Sequence, residues 1–312
     1  MSLATQTASG VVGARPDAGG VDVVTHLTTG DFARRYVARR RPVLIKGALN
    51  RTAAFERWSF DYLRETSGGD TAVLKDFTPD GRITTQTMTI GAYLDEIARF
   101  EERCAAGDLS VRRPAYLHDV PLTTVFRDAA ADLSAFPQDF FPKWYGADWT
   151  AFAQFFLGPS TSVTPLHFDC LLTHNLFFQL RGRKRFTVLD HAELDKCYPY
   201  DWRWCKVDPE APDYQKYPLY RDARAHEVLV EPGDVFFMPS GMLHHVRSLD
   251  AAMSFNVDWH TRDSVRDGVL AVTRGMPLKT AYYNLVLAAG LWTGVSNQRL
   301  MPFYKSYLSY IS

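Results

Sequence analysis

Two side chains one position apart carry the first chemical signal. His167-Phe168-Asp169 ends the strand-like stretch SVTPLHFD. On a strand, residues i and i+2 point to the same face. An imidazole and a carboxylate can therefore converge on one point while Phe168 packs behind them. Taken alone, the triplet is equally a histidine–aspartate hydrogen bond on a sheet surface. A third donor is available where the apolar strand EPGDVFFMP is followed by His244-His245. Strand neighbours face opposite ways, so one of these histidines can join the pair and the other cannot. Two imidazoles and a carboxylate on a rigid β scaffold cover one face of an octahedron and leave three positions open. That arrangement suits a non-haem Fe(II) oxygenase. Without a metal, one histidine would pack in the core and the other would face solvent.

Lys184, in the hairpin QLRGRKRF, is the next candidate. A cation inside a small barrel is costly unless it meets an anion, and a bound dicarboxylate would supply one. Arg181, Arg183, Lys184 and Arg185 are equally consistent with a solvated turn, and their spacing does not choose.

The elements that would position these residues follow from periodicity and turn chemistry. TGDFARRYVARRRP reads as a helix with Asp31 as N-cap and Pro42 at its end, followed by a buried strand, PVLIKGAL. A second helix starts at Ser59, residues 71–90 alternate like strands, and Thr89 to Phe100 is amphipathic. From Phe155 to His260 short strands follow one another, separated by Arg181-Gly182, Pro232-Gly233-Asp234 and Ser240-Gly241. Successive short antiparallel strands indicate a β-sandwich or small barrel. Beyond Arg262 the pattern turns helical again.

The stretches TPLHFDCLLTHNLFFQLRGRKRFTVLD and EPGDVFFMPSGMLHHV resemble the cupin-type JmjC oxygenases. They are most similar to the hypoxia-inducible-factor asparaginyl hydroxylase branch and its bacterial relatives. RRPVLIKGAL, WSFDYL, MTIGAYLDEI and PAYLHDVPL extend the likeness upstream, so that it covers roughly residues 28–260. The resemblance implies a mainly β fold, a double-stranded β-helix with N-terminal α/β elements and C-terminal helices. It also implies Fe(II), 2-oxoglutarate as co-substrate and O2. By the family's motifs, His167, Asp169 and His244 are the metal ligands. Lys184, Thr164, Tyr116 and Asn175 are expected to contact 2-oxoglutarate. Asn256 and Asp258 share a face of the last strand and are candidate substrate contacts, and an asparagine of the family falls nearest Asp258. An acid beside a dicarboxylate departs from the family's pattern. The aromatic-rich insert CYPYDWRWCKVDPEAPDYQKYPLY, Cys197 to Tyr220, is expected to overhang the site, with Tyr198, Trp202 and Trp204 as candidate substrate contacts. These aromatics would otherwise simply pack the loop onto the barrel.

Composition bounds the rest. The 312 residues are 46% hydrophobic and 13% aromatic, enough for a sizeable core, which excludes global disorder. Lys plus Arg and Asp plus Glu are 35 each, so the formal charge is zero. That argues against a nucleic-acid partner without excluding a local basic patch. The four cysteines form no CxxC pair, there is no apolar signal core, and the apolar run from Asn284 to Val295 is too short to span a bilayer. A cytoplasmic protein is expected, with no membrane association. The expected organisation is a mobile arm over 1–22, a catalytic domain over 23–262 and a helical segment over 263–312 that makes a homodimer by analogy with the asparaginyl hydroxylase branch. The expected activity is hydroxylation of a protein or peptide side chain or an amino-acid-like small molecule. The alternatives are a tRNA-modifying hydroxylase of the same fold and a non-catalytic cupin-like binding protein.

Overall fold

Side-chain alternation along two central strands divides an inner face that lines a cavity from an outer face that packs into the main hydrophobic core. On Ala252–Trp259, the residues Met253, Phe255, Val257 and Trp259 point outward into the main hydrophobic core. Asn256 and Asp258 point inward to a cavity. His174–Arg181 repeats the pattern, with Leu176, Phe178 and Leu180 outward and Asn175 and Phe177 inward. Every residue of the first strand is buried, as expected when both faces of a strand are covered.

A computed structural model describes residues 15–16, 20–77, 83–108 and 110–308. Two sheets face each other. The larger has eight strands, in the order Arg15–Pro16, Asp22–Val24, Val43–Ile45, Val235–Met238, His174–Arg181, Ala252–Trp259, Ala153–Gly158 and Leu117–Pro121. The smaller has six, in the order Pro199–Tyr200, Trp204–Cys205, Val163–His167, Leu243–Ser248, Lys184–Leu189 and His226–Val230. Asp22–Val24 runs parallel to Val43–Ile45, and the other pairs are antiparallel. This is the expected jelly roll with flanking helices. Phe177, Phe186, Val188, Val228 and Phe236 fill the lower interior, leaving the polar cavity above them.

The N-terminal helices cover the outward face of the large sheet. Phe32, Tyr36, Trp58, Tyr93 and Ile97 share one core with Phe178, Phe255 and Trp259. The first helix is capped by Thr28, whose hydroxyl accepts from the Asp31 amide at 3.1 Å, and not by Asp31 as expected. Asp31 lies in the first turn and bonds Arg34 instead. The chain then widens into a π-helix over Phe32–Val37 and stops before Pro42. Ser59 caps Phe60–Ser67 as expected, and Thr89 caps Ile90–Ala105.

The C-terminal helices Arg262–Leu270, Leu278–Thr293 and Asn297–Leu308 pack their inner face on the same core through Tyr283, Leu287, Ala288 and Leu291. Their outer face leaves Leu278, Leu285, Trp292 and Phe303 exposed. Of the expected arm, all but Arg15–Pro16 and residues 20–22 lies outside the described residues. No helix among the described residues is long and apolar enough to cross a membrane.

Candidate metal centre

His167 ends the strand Val163–His167, and Asp169 follows just beyond it. His244 lies directly opposite His167 on the neighbouring strand Leu243–Ser248. One potential ligand atom from each of the three lies within 4.8 Å of the others. His244 Nε2 is 3.8 Å from Asp169 Oδ1, and the two imidazole rings are 4.2 Å apart. His167 Nδ1 lies 2.7 Å from the Pro165 carbonyl, and His244 Nδ1 lies 3.1 Å from the Met242 carbonyl. A carbonyl oxygen only accepts, so each Nδ1 carries the proton and each Nε2 presents a lone pair to the centre. Burial, then the adjacent His244, holds His167 well below the ordinary imidazole range, so it stays neutral. The second Asp169 oxygen accepts from Asn175 Nδ2 at 3.2 Å, which orients the carboxylate. Two imidazoles and one steered carboxylate fit a divalent iron with open positions.

His245 points away from this centre. It lies on the outer face of the small sheet, grouped with Asp208 and Glu210. The strand register thus places His244, and not His245, beside His167 and Asp169.

Lys184 sits deeper in the same cavity, with 1% of its surface exposed. Its Nζ donates to Tyr116 Oη and to Ser254 Oγ, both at 2.8 Å. The rings of Phe177, Phe156 and Tyr116 surround it at 5.1–5.5 Å. Among the described residues no carboxylate pairs with it, and burial pulls the ammonium down to about 7. A buried cation without an anion is the arrangement that a dicarboxylate ligand completes. Thr164 lines the same cavity, its hydroxyl 3.4 Å from His118 Nε2.

The expected substrate contacts separate into two groups. Asn256, Asp258 and Trp204 line the cavity. Trp204 pairs with His167 across the sheet, its ring 4.9 Å from the imidazole. Tyr198 and Trp202 do not line it. Tyr198 packs on Tyr217 and accepts from the Leu219 amide. Trp202 bonds the Cys170 carbonyl and stands edge-on to Phe168. The insert is therefore split: its hairpin tip borders the metal centre, while the part from Asp208 to Glu210 grips the outer face of the small sheet. Burial, followed by the charges of Asp169 and Asp119, pushes the Asp258 carboxyl well above the usual range.

Four cavity or near-cavity residues escaped sequence reasoning: His118, Asp119, Ser254 and Arg203. Two of them had a signal. His118 is two residues past Tyr116, and Ser254 two before Asn256, so each shares a strand face with a recognised residue. Asp119 had none, because its left-handed backbone, φ 57°, breaks the alternation. Its carboxylate oxygen Oδ2 lies 3.0 Å from His118 Nδ1. Burial would raise it, but His118, Lys75 and Arg203 together hold it below the ordinary carboxylate range.

Comparison with known proteins gives a consistent picture. Residues 29–264 match the family model described as a Cupin-like domain. Lysine-specific demethylase 8 of Xenopus tropicalis is 25% identical over 240 residues, covering 73% of this chain and 50% of the relative. The human bifunctional peptidase and (3S)-lysyl hydroxylase is 27% identical over 272 residues, covering 72% and 79%. The tRNA wybutosine-synthesizing protein 5 of Gallus gallus is 24% identical over 251 residues, covering 75% and 74%. The chain spans half the length of the frog relative.

Proposed function

The chain belongs to the cupin-like domain family, in its JmjC branch, and from that premise we propose that it is an Fe(II)- and 2-oxoglutarate-dependent oxygenase that hydroxylates a C–H bond of a protein or peptide side chain. The observation that carries this reading is Lys184, a buried ammonium with no anion among the described residues, in the same cavity as His167, Asp169 and His244.

Iron bound by these three residues supplies O2 activation, coupled to the conversion of 2-oxoglutarate to succinate and CO2. The protein's own part is positional. Pro165 and Met242 fix both imidazoles in the ligating tautomer, and Asn175 steers Asp169. Lys184 and Tyr116 would take the distal carboxylate of 2-oxoglutarate by charge-assisted bonds, with Thr164 beside them. Phe156, Phe177 and Phe186 keep that end of the cavity dry.

A protein or peptide substrate is favoured over tRNA by the zero net charge, since phosphate contacts need a basic surface. The names of the frog and human relatives, a lysine demethylase and a lysyl hydroxylase, point the same way. The test is succinate formation from 2-oxoglutarate with Fe(II), ascorbate and O2, in wild type, His167→Ala and Lys184→Ala. Turnover in wild type and its loss in both variants supports the reading. Wild-type protein that neither turns over nor binds 2-oxoglutarate with metal present returns it to a binding protein. We also propose a homodimer through the exposed face formed by Leu278, Leu285, Trp292 and Phe303. A monomer whose mass is independent of concentration in sedimentation would refute it.

A further inference from the structure

The cavity holds a second cation besides Lys184. Arg203 lines the same space as His167, Asp169 and Trp204. Its guanidinium lies over the Trp204 ring at 4.5 Å. Among the described residues that guanidinium makes no hydrogen bond and no ion pair. Three acids line the cavity with it, and each has another neighbour. Asp169 accepts from the Asn175 side chain. Asp119 Oδ2 lies 3.0 Å from His118 Nδ1. Asp258 Oδ1 is faced by Asn256 Nδ2 at 3.5 Å. The distal carboxylate of 2-oxoglutarate goes to Lys184 and Tyr116, deeper in the cavity, so it does not answer Arg203 either.

The backbone fixes Arg203 in this place. Its carbonyl accepts from the Phe168 amide at 3.1 Å, which ties it to the middle of His167-Phe168-Asp169. Its amide donates to the Asp201 carbonyl at 2.8 Å. That tight turn puts Asp201 at φ 44° and Trp202 at φ 67°, a left-handed backbone that side chains disfavour. Strain of this kind persists where the surroundings enforce it, and it concentrates at ligand clamps. Here the Trp202 indole enforces it by donating to the Cys170 carbonyl at 2.9 Å. A half-buried guanidinium is thus held beside the metal centre with one face on an indole. Stacking leaves the N–H donors in the guanidinium plane available, and their fork matches the two oxygens of a carboxylate.

Resting on the oxygenase reading above, we infer that Arg203 determines substrate specificity and that the side chain it draws to the metal is acidic, an aspartate or glutamate of a peptide. The carboxylate takes the guanidinium fork in two parallel N–H···O bonds, and the adjoining CH2 supplies the C–H bond to be hydroxylated. Asparagine or glutamine has the same shape but one acceptor oxygen and no charge, so it loses one bond and weakens the other. A lysine side chain sets like charge against Arg203.

The probes are five peptides, acetyl-Gly-Gly-X-Gly-Gly-amide, with X aspartate, asparagine, glutamate, glutamine or lysine. They are titrated calorimetrically into the full chain loaded with Fe(II) and 2-oxoglutarate without O2. The aspartate or the glutamate peptide is expected to bind about 10-fold or more tighter than its amide counterpart and than the lysine peptide. In Arg203→Gln that preference should vanish while 2-oxoglutarate binds as in wild type. Arg203→Lys, which keeps the charge and loses the fork, should recover only part of it. Equal binding of acid and amide, preference for lysine, or no binding by any peptide while 2-oxoglutarate binds would overturn the inference. So would an Arg203→Gln protein that loses affinity for 2-oxoglutarate and keeps the peptide preference, because the anion at Arg203 would then be the co-substrate. The comparison among peptides is made on wild-type protein, so it stands even if a variant misfolds. Failure of 2-oxoglutarate itself to bind the metal-loaded wild type would instead remove the oxygenase reading.

Discussion

His244 and His245 are chain neighbours, yet they belong to two clusters with opposite character. Each cluster contains histidine and carboxylate atoms close enough to hold a metal: His167, Asp169 and His244 on the inner side of the small sheet, and Asp208, Glu210 and His245 on its outer side. On the inner side, backbone carbonyls orient both imidazoles and an amide steers the carboxylate. On the outer side, Glu210 is already spoken for. Arg185 donates to one oxygen at 2.7 Å, and Arg247 grips the other. These arginines are register partners on adjacent strands, where like charges repel unless an anion sits between them. Asp208 is largely exposed, its side chain 57% accessible. Ligand types at the right distance are thus not sufficient; the surrounding charge decides whether a group of donors awaits a cation or already has one.

The most severe way to break this comparison is to remove each histidine in turn. His244→Ala should lower iron affinity by about 100-fold or more and abolish succinate formation, whereas His245→Ala should keep its iron, as measured by metal content after desalting. Retained iron in His244→Ala would dissolve the distinction.

Lys184 offers the next largest effect, because it is the inner side's unanswered charge. Lys184→Met should weaken 2-oxoglutarate binding by roughly 30-fold while leaving the melting temperature unchanged or higher, since a buried charge without a partner gives way to an apolar chain of similar size. The pH dependence sharpens the point. With the ligand-free ammonium lowered to about 7, it is charged below that pH and neutral above it. A dicarboxylate favours the charged form, so wild-type affinity should be highest below about 7 and fall as pH rises through it, with proton uptake on binding above that pH. Calorimetry in buffers of different ionisation enthalpy measures that uptake, and its absence would show that Lys184 does not meet the ligand.

Glu210→Gln should give the smallest effect. It leaves Arg185 and Arg247 facing each other and should cost about 1 kcal/mol of stability at neutral pH. Against burial, which raises it, Arg247 and Arg185 hold the Glu210 carboxyl down to about 2 from an ordinary 4.5. The native carboxyl is depressed, so its contribution is complete above pH 4.5 and is lost as pH falls towards 2. Denaturant titrations at pH 7 and pH 3 should therefore show the wild-type advantage over Glu210→Gln narrowing in acid. A constant difference would mean that the clamp contributes nothing electrostatic.

The legible part of the site was the part written in strand alternation. His167 with Asp169, Asn256 with Asp258, and the rule that only one of His244-His245 can join them all follow from a period of two, while the choice of His244 rested on the family resemblance. Tyr198, Trp202 and Trp204 were indistinguishable in the sequence because an irregular insert has no such period. The structure sends only Trp204 to the cavity, because only the strand Trp204–Cys205 joins the small sheet beside His167. Asp119 was invisible for a related reason, its positive φ turning the side chain out of strand order.

From sequence alone came the jelly-roll class, the family and the residue types able to hold a metal, because hydrophobic alternation and ordered motifs are properties of short stretches. Tertiary structure decided which face of each strand became the inside. The outer face of the large sheet is apolar because helices from both ends of the chain cover it. The inner face can be polar because its groups answer one another, or await a ligand, across the cavity. Alternation specifies that two faces differ; only the packing of distant segments determines which of them is buried against protein and which is kept for chemistry.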